Sequence, residues 1–286
     1  MEMDLFEIID ERSADFSKGH RLIAQYIKEH YDKAAYMTAQ KLGEKVGVSE
    51  STVVRFAYML GFDGYPALQR SLRKLMRNKL TSVQRIEMTS DIISSEDILN
   101  QVLLRDAENI RRTLEETSKT DFTNAVNAII RSDTIYILGA RSAEPLAKFL
   151  NYYFSLMFPR VRQVRNTTTS ELFEQLMRIN EKDVIIGISF PRYSRQTEQM
   201  LKYAKNQNAH VIALTDSDAS TLAPHADDLL LVRSDMNSFA DSLAAPLSLI
   251  NALIAAVSKS CEQSVRESFE KLEKIWDEYE VYSKNK

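Results

Sequence analysis

Cysteine is nearly absent: Cys261 stands alone among 286 residues, which excludes an intramolecular disulfide and any zinc site built on two thiolates. Histidine is scarce, and His20, His30, His210 and His225 show no H-x-x-x-H or similar pairing, so neither a metal nor a cofactor is expected. Long apolar runs are missing as well. None reaches the roughly 18 to 20 residues of a membrane span, and the richest stretch, 243–257, is broken by Ser248 and Asn251. Glu2 and Asp4 occupy the place of the basic flank that a secretory signal needs, so a cytoplasmic protein without a membrane partner is expected. Positive charge is not in excess: the formal net charge is −3. A chain of that balance is not a globally basic, indiscriminate binder of nucleic acid.

What is present begins between Ala39 and Tyr58, where the chain reads AQKLGEKVGVSESTVVRFAY. Leu42, Val46, Val48, Val53 and Phe56 fall where a helix-turn-helix needs apolar residues, and Gly47 falls at the turn between its helices. Glycine supplies the left-handed backbone that closes so short a turn, and Ser49 behind it is a good N-cap. The outward face of the second helix would carry Ser49, Glu50, Ser51, Thr52, Val54, Arg55 and Tyr58, short hydroxyls and one arginine suited to phosphate oxygens and base edges. An ordinary helical hairpin is the competing reading. The cap serine, the pair Val53 and Val54, and the exposed Arg55 together favour DNA.

The next segment, Leu60-Gly61-Phe62-Asp63-Gly64-Tyr65-Pro66, ends that helix and turns into another through Leu68, Leu72 and Leu75. Along it lie Arg70, Arg73, Lys74, Arg77 and Lys79, with Asp63 the only acid between Ser51 and Leu80. Such a run is usually a solvated face. Beside a reading helix it becomes backbone-positioning charge, so the DNA contacts expected are Ser49, Ser51, Thr52, Arg55, Tyr58, Arg70, Lys74 and Arg77. The organisation expected is a helical DNA-binding domain over 1–78 and a linker over 79–96, where serine and threonine accumulate. A second domain with flanking helices follows over 97–286. Its first helix, opened by Ser95-Glu96-Asp97, places Ile98, Val102, Leu103, Ile110 and Leu114 on one face as a dimer arm or a lid.

After Ser132 short apolar runs alternate with amphipathic helices: Thr134–Leu138, Arg160–Val164, Asp183–Ile188, Ala209–Leu214 and Asp228–Val232. Five strands separated by helices predict an α/β domain with a five-stranded parallel sheet. The chain ends in an amphipathic docking or oligomer helix carrying Val265, Phe269, Leu272, Ile275, Trp276 and Tyr279.

The run Gly47 to Phe56 (GVSESTVVRF) and the run Leu60 to Tyr65 (LGFDGY) resemble the MurR/RpiR family of bacterial regulators, and the resemblance covers nearly the whole chain. It implies an N-terminal helix-turn-helix joined to a C-terminal sugar isomerase (SIS) domain with strand order 2-1-3-4-5, which makes 97–286 an effector-binding and oligomerisation domain. One departure is Gly43, where the family usually has alanine; both are small, so the expected cost is a modest loss of helix propensity.

In that order the ligand crevice lies between the first and third strands, past their carboxyl ends. The loops there are Gly139-Ala140-Arg141-Ser142-Ala143 and Ser189-Phe190-Pro191-Arg192-Tyr193-Ser194, each ahead of a helix N-terminus that favours an anion. SIS domains usually read G-x-G-x-S and S-x-S-G-x-T in these loops. Here Gly139 matches, the second glycine is Arg141, the serine is Ala143 with Ser142 one residue early, and Pro191-Arg192 replaces Ser-Gly. The expected ligand contacts are therefore Gly139, Arg141, Ser142, Ser189, Arg192, Tyr193 and Ser194, with the two arginines either obstructing an oxyanion or binding it.

Three functions compete. The first is a regulator that binds double-stranded, palindromic operator DNA as a homodimer or homotetramer and senses a small anionic metabolite, a sugar phosphate or a carboxylate. The second is an isomerase with a DNA-binding head, for which Glu171, Glu174 and His225 are available bases but no spacing singles them out. The third is a ligand-independent DNA-binding protein whose SIS domain only dimerises. The sequence favours the regulator, without catalytic residues.

Overall fold

The computed structural model describes residues 5–35, 37–79, 81, 83–86, 97–165, 168–236 and 238–282, excepting the side chains of Asp32, Arg73, Lys74 and 76–79. They form two compact units, 1–88 and 89–286.

The first unit is helical among its described residues. Its helices are α1 (Leu5–Glu11), α2 (Lys18–Glu29), α3 (Tyr31–Ala34), α4 (Ala39–Val46), α5 (Glu50–Met59) and α6 (Tyr65–Lys79). Hydroxyl N-caps start three of them: Ser17, Thr38 and Ser49 each accept from the backbone N–H three residues on. Ile9, Ile23, Ile27, Leu42, Val53, Phe56, Leu68 and Leu72 are at most 1% exposed and make the core. Leu22 is 42% exposed, because a residue next to the buried Ile23 is rotated by about 100° around a helix.

The second unit begins with α7 (Ile98–Glu116) and α8 (Lys119–Arg131). Then come β1 (Ile135–Gly139), α9 (Glu144–Met157), β2 (Val161–Val164), α10 (Thr169–Leu176), β3 (Val184–Ile188), α11 (Arg195–Asn206), β4 (His210–Thr215) and β5 (Asp228–Leu231). The long α12 (Ala244–Ser260) and α13 (Glu262–Glu278) close the described chain. The sheet is parallel throughout with order β2-β1-β3-β4-β5. Each strand falls within one residue of the apolar run that predicts it. β1 and β3 are buried along their whole length, which is why they read as unbroken apolar runs. Successive side chains alternate between two cores: Ile135 and Ile137 join Leu150, Phe154 and Leu253 on one face, while Tyr136 and Leu138 join Leu172 and Leu201 on the other.

No single described helix is long and apolar enough to cross a membrane; α12 and α13 meet the length and composition together only as a pair bent by 97°. α13 docks through Val265 and Phe269, whereas Ile275 and Tyr279 are 49% and 71% exposed.

α7 turns most of its expected apolar face outward, as a dimer arm would, and buries polar positions. Leu103, Ile110 and Leu114 are 56%, 40% and 77% exposed, and the buried positions are Asn109 and Thr113. Polar bonds hold this helix down. Asn109 donates to the Asp235 carbonyl (3.2 Å), Arg112 to the Asp235 carboxylate (3.1 Å) and Ser242 to Asp106 (2.6 Å), while Thr113 Oγ1 accepts from the Arg233 N–H (3.0 Å). The chain segment 233–235, buried or half-buried, selects the face able to bond its backbone groups.

Candidate functional site

The helix-turn-helix is built as its spacing predicts. Gly47 takes φ 76° and ψ 35°, closing the turn between α4 and α5, and the N–H of Val48 bonds the Gly43 carbonyl at 2.9 Å. Ser49 Oγ accepts from the Thr52 N–H (3.3 Å) and lies 2.9 Å from Ser51 Oγ and 2.8 Å from Thr52 Oγ1. The three hydroxyls form one cluster at the positive end of α5, where an anionic oxygen is favoured. Arg55 is exposed and its Nε donates to the Ser51 carbonyl (3.3 Å), which lays the guanidinium along the helix toward that cluster. Tyr58 is 61% exposed one turn further on, and Arg70 is exposed on α6. Lys74 and Arg77 lie on α6, but their side chains fall outside the described residues. α6 is anchored by Tyr65 and Gln69, which both donate to the Met37 carbonyl at 2.7 and 2.8 Å.

Two features of this domain escape sequence reasoning. A Cβ at Gly43 would stand 2.7 Å from the Val48 carbonyl oxygen and 3.3 Å from the Ser49 carbonyl carbon. The glycine therefore sets how tightly the turn folds back, and alanine, which propensity alone would favour, carries a cost because backbone would have to move. The second is His20, 5.6 Å ring to ring from Phe56 behind the reading helix, with its Nδ1 buried and without a hydrogen-bond partner among the described residues. Burial, and then the nearby Arg55 charge, hold its pKa below the ordinary value.

In the second unit, pairing of Gly139 with Ile188 aligns the carboxyl ends of β1 and β3, so the two loops start side by side at the point where strand order reverses. Arg141 has φ 55° and Arg192 φ 68°. Both replace an expected glycine and both retain the left-handed backbone that glycine takes freely, at about 1–2 kcal/mol each for any residue with a Cβ. Both are exposed. Gly139 itself serves packing: a Cβ there would meet the Ala143 carbonyl oxygen at 2.5 Å and the Ala147 methyl at 3.1 Å, so the loop can press against α9 only with glycine. Ser142 is exposed at the rim.

The second loop is tied down by its own hydroxyls. Ser189, buried, accepts from the Ser194 N–H (3.0 Å), and Ser194 Oγ caps α11 by accepting from the Thr197 N–H (3.3 Å). Both hydroxyls keep their protons to give to an acceptor. Tyr193 donates its hydroxyl to Asp216 (2.7 Å), a carboxylate 8% exposed just past β4. Asp216 was not singled out by its sequence; its position at a strand's carboxyl end is the signal that points to it. Thr197 and Thr215, also near these strand ends, bury hydroxyl oxygens that have no hydrogen-bond partner among the described residues.

The carboxylates considered as bases are occupied elsewhere. Glu171 closes a capping box with Thr168 at the start of α10, and Glu174 accepts from Ser170 (3.3 Å). A cavity of about 530 Å³ lies at the opposite, amino end of the sheet, lined by Asn124, Arg131, Asp183, His210 and Asp228. Its His210 Nε2 and Asp228 carboxylate are 2.7 Å apart. The helix N-termini and the chain reversal are at the carboxyl end, so the crevice there is the stronger candidate for an anion site. No group of three or more His, Cys, Asp or Glu side chains placed to share a metal ion occurs among the described residues.

Comparison with known proteins agrees with this architecture. The family model for the rpiR-family helix-turn-helix domain matches residues 3–79, and that for the SIS domain matches residues 128–256. An uncharacterized HTH-type transcriptional regulator of Clostridium perfringens is 23% identical over 79% of this chain and 80% of its own. Another, from Caldanaerobacter subterraneus, is 24% identical over 90% of this chain and 91% of its own. The sugar isomerase domain of an RpiR transcription factor from Sphaerobacter thermophilus superposes with a TM-score of 0.60 at 26% identity, covering 63% of this chain and 99% of that one. NanR of Vibrio vulnificus, solved complexed with ManNAc-6P, covers 98% of this chain and 100% of its own at TM-score 0.58 and 16% identity, a likeness of fold. With a helix-turn-helix domain at one end and a SIS domain at the other, the chain belongs to the rpiR family of transcriptional regulators.

Proposed function

We propose that the protein binds operator DNA through Ser49, Ser51, Thr52, Arg55, Tyr58 and the basic face of α6, and that an anionic metabolite in the crevice between β1 and β3 adjusts this binding. The observation that carries the sensing half is the pair Arg141 and Arg192. Two loops that meet at the chain reversal each hold a guanidinium on a strained backbone, where glycine would cost nothing. An oxyanion seated at the start of α9 and α11 would draw on the helix dipoles, the hydroxyls of Ser142, Ser189 and Ser194, and the charge of both arginines. Gly139 lets the first loop lie close, and Asp216 fixes the ring of Tyr193 beside it.

A sugar phosphate is the leading ligand, supported by a fold that in NanR is complexed with ManNAc-6P. A sugar acid is the second reading, which the two arginines admit because a guanidinium meets carboxylate as well as phosphate in a bidentate pair. The reading is of a cytoplasmic sensor without turnover, since Glu171 is held in a helix cap. It acts as a homodimer or homotetramer on a palindromic site.

A thermal-shift panel of hexose 6-phosphates and 6-phosphogluconate, with inorganic phosphate as control, tests this. A true effector at 100 times its Kd stabilises the fold by about 2.7 kcal/mol, survives incubation unchanged and alters operator affinity. Consumption of the compound would establish the enzyme instead, and a panel with no shift would favour the scaffold.

A further inference from the structure

The outward face of α7 carries a stripe whose order of large and small side chains is the same read in either direction. Leu99, Leu103, Ala107, Ile110 and Leu114 recur at intervals of 4, 4, 3 and 4 residues, which confines them to an arc of about 80° on a helix of 3.6 residues per turn. Two large side chains stand on each side of one small one. Leu99 is 71% exposed, Leu103 56%, Ile110 40% and Leu114 77%, and Leu104 beside them is 69% exposed. Their apolar surface is on the order of 600 Å², at the top of what monomeric proteins leave uncovered. It approaches the roughly 800 Å² that each partner contributes to a stable interface.

The helix is not turned outward by loose docking. Asn109, Thr113, Arg112 and Asp106 fix its inner face to residues 233–235 and 242 by the four hydrogen bonds given above, and Arg233 adds an ion pair with Glu116. Rotating α7 to bury the stripe would break all of these. The stripe is therefore held in water by specific bonds, and a partner must remove it from water.

We infer that a second copy of this chain covers α7, with the two helices antiparallel and crossing at Ala107. A two-fold interface requires a surface complementary to itself, and the symmetric order large-large-small-large-large supplies one. Leu103 meets the partner's Ile110, Leu99 meets the partner's Leu114, and the two Ala107 methyls at the axis let the backbones come together. From Leu103 to Leu114 the intervals of 4, 3 and 4 residues are those of a helix-pair seam, and opposed dipoles favour the antiparallel sense. Glu108, Arg111 and Glu115, exposed along one flank of the stripe, form the polar rim. The inference rests on the oligomeric reading above and adds the surface, the sense and the axis.

Light scattering on the full chain, with Leu103→Glu/Ile110→Glu beside wild type, separates the two. The expected result is a wild-type dimer and a folded double variant with its dimer Kd raised at least about 100-fold, since both changes put charge at the centre of the seam. Because these side chains are exposed, the thermal unfolding of the variant monomer reports that the fold survives. A dimer that persists in the variant overturns the surface and leaves the oligomeric reading standing, whereas a monomeric wild type overturns both. In a Cys261→Ser background, Ala107→Cys should cross-link to itself on oxidation. Leu99→Cys should cross-link only when mixed with Leu114→Cys. Self-cross-linking of Leu99→Cys would overturn the antiparallel sense.

Discussion

Arg141 and Arg192 hold a conformation that their side chains make costly. Replacing each with glycine removes about 1–2 kcal/mol of left-handed strain but returns part of it as unfolded-chain entropy. Arg141→Gly and Arg192→Gly should each stabilise the unliganded protein by up to about 1 kcal/mol, read as a higher denaturant midpoint, while the effector's thermal shift disappears. A lowered midpoint would mean that the arginines hold the fold together. His20 gives a pH dependence of definite sign. Its folded-state pKa lies below the ordinary 6.5, so the neutral form is favoured in the folded protein. Its contribution is complete above the unfolded value and is lost as pH falls through it toward the folded one. Melting temperature should fall more steeply below pH 6.5 for wild type than for His20→Gln, and parallel curves would remove His20 from the account.

At the scale of the element, the turn between α4 and α5 sets two opposing effects at Gly43. Alanine gains about 1 kcal/mol of helix propensity and loses roughly 1–3 kcal/mol by forcing backbone from 2.7 Å. Gly43→Ala should therefore lower the melting temperature of the DNA-binding domain, and a rise would show that the turn yields easily. The reading helix and α6 separate by salt. Arg55→Ala should weaken specific operator binding by roughly 1–3 kcal/mol in a gel-shift titration. Lys74→Ala/Arg77→Ala should instead flatten the dependence of affinity on salt by about two counterions if both meet phosphates. Equal salt slopes would take Lys74 and Arg77 out of the interface.

For the whole molecule, ligand and DNA must be coupled through one equilibrium, so an effector that changes operator affinity by a given factor must have its own affinity changed by the same factor when operator is added. Isothermal titration with and without operator DNA checks this equality.

The sequence by itself determined what depends on local periodicity and local chemistry. The turn glycine, the cap serine and five apolar runs appear in it because backbone geometry constrains residue type at short range, and each element lies within a residue of where those signals put it. The place of the crevice followed once resemblance supplied the strand order, since ligands gather where the order reverses. What only the tertiary structure decided depends on neighbours distant along the chain. The sequence shows that Arg141 and Arg192 replace glycine, but only the folded loops show that the backbone kept glycine's conformation. Gly43 reads as a weak helix former until the Val48 carbonyl is seen against it. Asp216 has no motif, and gains a role only because β4 ends beside Tyr193. α7 was legible as amphipathic, yet periodicity does not tell which face turns inward: here the polar partners at 233–235 and 242 outweighed the apolar stripe, because buried backbone groups must be bonded while aliphatic side chains can be covered from outside.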